Sequence, residues 1–370
     1  MTSDQAMRVS DRDRERASSA GSGMRGNVNR RVITSTGEFL DASQTGGIHP
    51  ILVRPGAIHA ELIRAHLGPL VADAVYCSLP LALRGETVAD RVWLVVPMNR
   101  TGGGQLNGEP LIPGNVLAFG GSAEVAGASG APFQCGILSV APTALERTAT
   151  ALGIESHLPG EGEFRVAPVV DGGRLSRAFG LLSGAVNHHK SAALTKREAS
   201  AIERAFLEVA VCSLAGESSR GWPSQSARFS SVKIARACED YARKWRYQNV
   251  TLADLCEASG VSERRVRSAF YECYQMSPTA YLRVTALNAV RRELVEGPHL
   301  RGAVSRAATD WGFWHLSRFA AQYRALFGES PTHTLTHRAD RTPSSRKLSF
   351  EVDEVLIAPR GHPHAHASMP

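Results

Sequence analysis

Residues 251–282 read TLADLCEASGVSERRVRSAFYECYQMSPTAYL, and residues 303–331 read AVSRAATDWGFWHLSRFAAQYRALFGESP. The two stretches carry one pattern. In each, an aromatic (Phe270, Tyr323) is followed four residues later by another (Tyr274, Phe327), with Ser-Pro seven and eight residues after the first. A glycine stands upstream of each, Gly260 and Gly312, with one extra residue in the second copy. An internal repeat of this kind is hard to obtain from a generic helical bundle.

Local chemistry reads the first copy as helix–turn–helix. Thr251 precedes Leu252, and Asp254 follows three residues on, a capping box with Asp in place of the usual Glu. Leu252, Leu255 and Cys256 are expected inward, and Gly260 supplies the left-handed turn that glycine adopts most cheaply. Ser262 caps a second helix whose buried side is Val266, Ala269, Phe270 and Tyr274. Its opposite side presents Arg264, Arg267 and Ser268, with Arg265 at the flank. A helix braced by a partner and showing arginines outward has the shape needed to enter a major groove.

In the second copy Leu316, Phe319, Tyr323 and Phe327 are the expected inward set. Overlaying the copies sets Ser317, Ala320 and Ala321 opposite Arg264, Arg267 and Ser268. Base contact is therefore expected from Arg264, Arg267, Ser268 and Ser317, and phosphate contact from Arg265, Arg318 and Arg324. Phe313 is expected to pack the turn. Ser277 and Ser330 are predicted N-caps, each followed by proline at the first helical position. The helix predicted over 278–294 spans about 25 Å, which suits two units docked in grooves about 34 Å apart.

A preceding helix is predicted over 232–247, with Ile234, Cys238, Tyr241 and Trp245 as its apolar stripe. Residues 228–335 hold 16 Lys and Arg against 10 Asp and Glu. Nearly all of the chain's formal +7 thus sits in one helical unit, a stronger nucleic-acid signal than a basic pI spread over the whole protein.

These motifs resemble the DNA-binding domain of the AraC/XylS family of bacterial transcriptional regulators. Gly260, Ser262, Phe270, Ser277, Pro278 and Tyr281 match the family pattern in the first unit. Ala307 or Ala308, Gly312, Phe313, Ser317, Phe319, Phe327, Gly328, Ser330 and Pro331 match it in the second. The resemblance implies an all-α domain with two helix-turn-helix units joined by a long helix, and base-reading positions that fall on Arg264, Arg267 and Ser268. It also implies a sequence-specific regulator, chiefly an activator, with duplex DNA and RNA polymerase as partners. Two departures stand out. Alanines occupy reader positions in the second unit, and Gln275 stands where glycine is frequent, which predicts a differently shaped exit turn.

Ahead of this domain the punctuation is dense. From about residue 32 to 140 short apolar runs such as AVYCSLPLAL, RVWLVVP, GNVLAF and FQCGILSV alternate with Gly and Pro, a strand-rich pattern. Residues 59–70 read as a short helix within it. Helices are predicted over 175–186 and 195–214, the latter with a stripe of Ala199, Ile202, Ala205, Phe206, Val209 and Cys212 that suits a subunit contact. Residues 48–215 resemble, in size and element order, the family's sensory and dimerising domain, which implies a cupin-like barrel followed by helices. Tyr76, Trp93, Phe119 and Phe133 are its candidate effector-pocket residues. The alternative is a constitutive DNA-binding regulator whose N-terminal domain is a structural, dimerising or protein-binding module.

The expected organisation is a disordered arm over 1–30, an effector-binding and dimerisation domain over 31–215, a linker over 216–226, the DNA-binding domain over 227–336 and a flexible tail over 337–370. Enzymatic readings lose. The barrel region has no His-x-His, His188 and His189 are adjacent and point apart, the glycines at 102–104 lack phosphate-loop spacing, and no cysteine lies in a Pro-Cys-His setting. No catalytic residue, metal or cofactor is expected. The alternating His362, His364 and His366 are read as part of the tail. Six widely spaced cysteines without a CxxC pair, no hydrophobic run near the N-terminus and no long apolar stretch predict a reduced cytoplasmic protein away from the membrane, and the family resemblance implies a homodimer.

Overall fold

Gly68 turns the chain with φ 54°, and the residues on either side of it run as extended backbone. In the computed structural model β3 (Ala60–Leu67) and β4 (Leu70–Cys77) form an antiparallel hairpin across this glycine. The helix expected over 59–70 is therefore strand β3, its turn and the first residue of β4. Both strands are largely buried on two faces, which removes the period-two signal that would have marked them in the sequence. Arg64 and Asp73 face each other across the hairpin and close a two-pronged ion pair at 2.8 and 2.9 Å. The structure describes residues 27–336 apart from 35, 37, 40–46, 55, 99–103, 114, 156, 169–171, 188–193, 216–224 and 298–299. His188, His189, most of the expected arm and linker, and the tail with its three histidines lie outside the described residues.

The hairpin sits in a seven-stranded antiparallel sheet. It is flanked by β1 (Asn27–Ile33) on one side and by β11 (Phe133–Val140), β6 (Val92–Pro97), β9 (Asn115–Phe119) and β12 (Phe164–Pro168) on the other. A second antiparallel sheet runs in the order β2 (Ile48–Leu52), β5 (Leu81–Glu86), β10 (Glu124–Ser129), β7 (Gly104–Leu106) and β8 (Glu109–Pro110). The sheets face each other over Trp93, Leu117, Phe119, Phe133 and Cys135 from the first and Leu106 and Val125 from the second. Neither sheet closes on itself among the described strands, so the expected barrel is seen as two open sheets. Strand β1 begins at Asn27, which puts the last residues of the expected arm into the sheet.

Three helices, α1 (Pro142–Leu152), α2 (Gly172–Asn187) and α3 (Lys196–Ala215), cover the outer face of the first sheet. Gly136 lets Phe179 of α2 lie on β11, since a Cβ there would stand 2.1 Å from the ring. Phe179 and Phe206 meet edge to face at 4.8 Å. The stripe of α3 expected at a subunit contact, including Ala199, Ile202, Phe206 and Val209, is buried against its own sheet and helices. Burial of apolar area satisfies this face within one chain.

The remaining described helices are α4 (Gln225–Lys244), α5 (Leu252–Ser259), α6 (Glu263–Tyr274), α7 (Pro278–Glu296), α8 (Ala303–Asp310), α9 (Leu316–Phe327) and α10 (Pro331–Thr336). Helix α4 starts inside the expected linker and stops before Trp245, which is 54% exposed and so not part of the predicted stripe. The helical domain packs on the second sheet: Ile51, Ala82 and Ala126 share one apolar cluster with Val232, Phe270 and Tyr281. Polar groups reinforce the junction. Asn288 donates to the Leu52 carbonyl at 3.1 Å and accepts from its N–H at 3.2 Å, adding an edge contact to β2. Arg84 reaches Glu239 at 2.9 Å in a nearly dry setting, and Arg236 bridges Glu86 and Glu124 at 3.2 and 3.1 Å nearer the surface.

Candidate nucleic-acid interface

Two turns of similar construction aim α6 and α9. In the first, Thr251 Oγ1 accepts from the Asp254 N–H at 3.3 Å, and the Asp254 carboxylate accepts from the Thr251 N–H and hydroxyl, both at 2.7 Å. These bonds hold the Asp254 carboxyl below its usual range. Gly260 follows with φ 67°, and Ser262 begins α6 in extended geometry without a side-chain cap bond. In the second, Gly312 has φ 86° and its Cα faces the backbone of Tyr247 and Gln248, which leaves little room for a side chain. Ser277 Oγ accepts from Ala280 N–H at 3.3 Å, and Ser330 Oγ accepts from His333 N–H at 3.1 Å, as the repeated Ser-Pro predicts.

The paired aromatics pack behind each helix. Tyr274 stacks on Tyr281 with centroids 4.0 Å apart, and Phe270 meets Tyr281 at 5.5 Å. In the second unit Phe319, Tyr323 and Phe327 form a ladder at 5.6 and 4.5 Å, with Phe313 against Phe319 at 5.1 Å. Arg291, buried, lies 4.8 Å from the Phe327 ring centre and pairs with Glu329 at 2.5 Å. The exit turns also agree. Gln275 has φ 56° and Gly328 φ 73°, so glutamine adopts the left-handed geometry that glycine takes in the other copy. The expectation of a differently shaped turn does not hold: the following Ser-Pro helix and the packed Tyr274 fix the conformation at the expense of backbone strain.

Arg264 and Arg267 are exposed on α6, and Ser268 is half-buried. Arg267 meets Glu263 at 2.6 Å one turn back, an exposed pair worth little on its own. Ser268 donates to Glu272 at 2.7 Å. Arg265 donates to Ser231 of α4 at 2.8 Å and reaches Glu272 at 3.3 Å, which braces its guanidinium against α4. Burial raises the Glu272 carboxyl, but bonds from Ser231 and Ser268 and the Arg265 charge outweigh it and leave the group below its usual range. The far end of α6 touches the second sheet, where Gln105 donates to the Tyr271 carbonyl at 3.1 Å. The N-terminal half with Arg264 and Arg267 is the part left facing solvent.

On α9, Ser317, Arg318, Ala321 and Arg324 are exposed. Leu316, expected inward, is 42% exposed, and Leu326 is buried in addition to the three aromatics. Leu316 is the first residue of α9, at the open end of the helix. Trp314, 57% exposed, stands beside it just ahead of the helix. The aromatic run Trp311, Phe313 and Trp314 marks this edge in the sequence, and of the three only Trp314 is exposed; the exposure of Leu316 is what sequence reasoning missed.

Of the candidate pocket residues, Trp93, Phe119 and Phe133 share the cluster between the sheets, while Tyr76 is half-buried and lies edge-on to His59 at 6.5 Å. The Trp93 indole nitrogen is buried without a hydrogen-bond partner. Among the described residues no group of three or more His, Cys, Asp or Glu side chains is placed to hold a metal ion, and no helix is long and apolar enough to cross a membrane.

Residues 255–337 match the family model of a helix-turn-helix domain. The region is 30% identical over 102 residues to a probable thc operon regulatory protein of Rhodococcus erythropolis, covering 28% of this chain and 31% of that protein. It is 29% identical over 119 residues to the XylDLEGF operon transcriptional activator 3 of Pseudomonas putida, covering 30% and 36%. The C-terminal domain is of the AraC/XylS type. The chain thus spans about a third of the length of these curated relatives. A solved structure of a probable AraC family transcriptional regulator from Rhodopseudomonas palustris is 31% identical, covers 28% of this chain and 96% of its own, and has a TM-score of 0.25. Helix α4, which lies ahead of the matched residues, packs on α5 and α6.

Proposed function

We propose that the chain is a sequence-specific DNA-binding regulator of transcription, chiefly an activator, whose two helix-turn-helix units dock in successive major grooves. The observation that carries this reading is the repeated unit. Each is turned on a left-handed glycine, packed on aromatics and followed by a Ser-capped helix, and the first presents Arg264 and Arg267 to solvent. At about 1.5 Å per residue the 19 residues of α7 reach about 28 Å, the right order to place the units about one turn of duplex apart. Base reading falls to Arg264, Arg267, Ser268 and Ser317, and phosphate contact to Arg318 and Arg324. Arg265 joins them by orienting α6 through Ser231 and Glu272. The activator sign follows the names of the similar XylDLEGF operon activators, with RNA polymerase as the partner, a cytoplasmic setting and a homodimer as the working form.

The two-sheet domain, cupin-like in this reading, senses a small molecule. The buried, unpartnered Trp93 nitrogen supports a ligand between the sheets. A second reading, a constitutive regulator with a structural N-terminal domain, is favoured by the packing of Trp93, Phe119 and Phe133 into one apolar cluster. The test is a gel-shift series with the full chain and its own promoter region. Arg264→Ala or Arg267→Ala should lose about 1–3 kcal/mol of preference for the correct base pair, and Arg324→Ala should weaken all sequences evenly. Equal affinity of the wild-type chain for every duplex at moderate salt would refute specific binding, and a transcript level unmoved by any of a broad ligand panel would favour the constitutive reading.

A further inference from the structure

A cleft of about 440 Å³ opens where the second sheet meets the helical domain. His49 of β2 and Arg84 of β5 line it from the sheet side, and Arg243 of α4 and Arg292 of α7 line it from the helical side. Tyr247 and Trp311 add aromatic surface, their rings 5.9 Å apart and inclined by 33°. The volume falls in the range of small-molecule sites.

The polar groups here are incompletely satisfied. Arg84 spends Nη1 on Glu239, and its Nε is buried with no partner. His49 Nδ1 is in the same condition. Leaving a buried donor or acceptor unpaired is costly, so two of them on one wall of one cavity mark a place where a partner belongs. The charge around them is cationic: burial first, then the charges of Arg84, Arg292 and Arg243, disfavour protonation of His49. Of the carboxylates at the cleft, Glu293 accepts from Trp311 Nε1 at 2.7 Å, and Glu296 also stands on the lining. An anion would accept from the guanidinium groups without displacing the Arg84–Glu239 pair.

We propose that this cleft binds a small organic anion, its carboxylate or phosphate group held by His49, Arg84 and Arg292 and its apolar part laid against Tyr247 and Trp311. The site is separate from the space between the sheets around Trp93. Because both domains supply contacts, an occupant favours the docked arrangement by its differential affinity for that arrangement over a separated one.

The experiment is a fluorescence titration of the full chain with anilinonaphthalene sulfonate, an aromatic anion, followed by displacement with inorganic phosphate or acetate at matched ionic strength. Saturable one-to-one binding is expected. Arg292→Gln, a change at an exposed position, should weaken it about tenfold. Ala289→Phe, which fills the cleft from α7, should abolish it. Arg197→Gln, exposed on α3, should leave it unchanged. Stronger displacement by phosphate or by acetate assigns the head group of the natural ligand. Binding unaltered in both cleft variants, or displaced by neither anion, overturns the proposal. No DNA enters the measurement, so its outcome is independent of the regulatory reading.

Discussion

Replacing Arg84 by methionine removes one side of the buried charge pair that joins the sheets to the helical domain. The pair is 2.9 Å long, and the two side chains are only 12% and 5% exposed. Glu239 keeps one further donor, the Tyr274 hydroxyl. Breaking a buried pair from one side typically costs about 3–5 kcal/mol, because the remaining charge is stranded. A hydrogen bond to a charged group contributes about 1.5–3 kcal/mol, so the Tyr274 bond should hold the loss near the lower end, at about 3 kcal/mol. Methionine preserves much of the arginine stem, which keeps a cavity contribution small. Glu239→Gln should also destabilise, since it strands Arg84 beside His49, Arg243 and Arg292. The double variant strands nothing and should recover roughly 2 kcal/mol relative to the sum of the single changes. Urea denaturation of the full chain, followed by both circular dichroism and tryptophan fluorescence, measures the cycle. A loss below about 1 kcal/mol for Arg84→Met, or strict additivity in the double variant, would refute the claim that this pair couples the domains.

Two further outcomes are expected. Gln275→Gly should raise stability by about 1 kcal/mol in the same denaturation assay, because glutamine at φ 56° bears a left-handed penalty that glycine avoids; no gain would mean that its side chain offsets the strain. For Glu329, burial raises the carboxyl, but the Arg291 charge and the bonds from Thr334, Arg291 and His333 outweigh it and hold the group below its usual range. Its contribution is present above the unfolded value, about pH 4.3, and is lost as the pH falls through the lower folded value. Glu329→Gln should therefore flatten the fall in stability below about pH 4.3, and an unchanged acid limb would count against the pairing.

What the sequence determined by itself was the helical domain. Its signals are local: the Thr251–Asp254 capping box, the glycines at the turns, the Ser-Pro starts and the i,i+4 aromatics each act within one or two turns of chain. Their repetition at two places made the domain legible and placed Arg264 and Arg267 on an open helix face. The reading failed where burial is decided by remote parts. Residues 59–70 have a mixed apolar pattern that fits a helix until sheet partners bury both faces of the two strands. The stripe of α3 has the period of a contact surface, but periodicity shows only that a face is covered, not whether the cover is a second chain or the domain's own sheet. Trp245 is exposed because α4 stops before it, and Leu316 is exposed although it falls on the apolar stripe, because it stands at the very first position of α9.

Only the tertiary structure decided the junction between the domains. Arg84 and Glu239 are 155 residues apart, and Leu52 and Asn288 are 236 apart. Neither pair leaves a spacing signal, since a long-range contact is set by how whole layers stack. The same stacking brings His49, Arg84, Arg243 and Arg292 around one cleft, although in the sequence they are four unrelated basic residues. Short-range hydrogen bonding and helical periodicity wrote the first half of the account into the chain. Packing of the second sheet against α4, α6 and α7 supplied the rest, because burial and charge proximity exist only once distant segments share the same space.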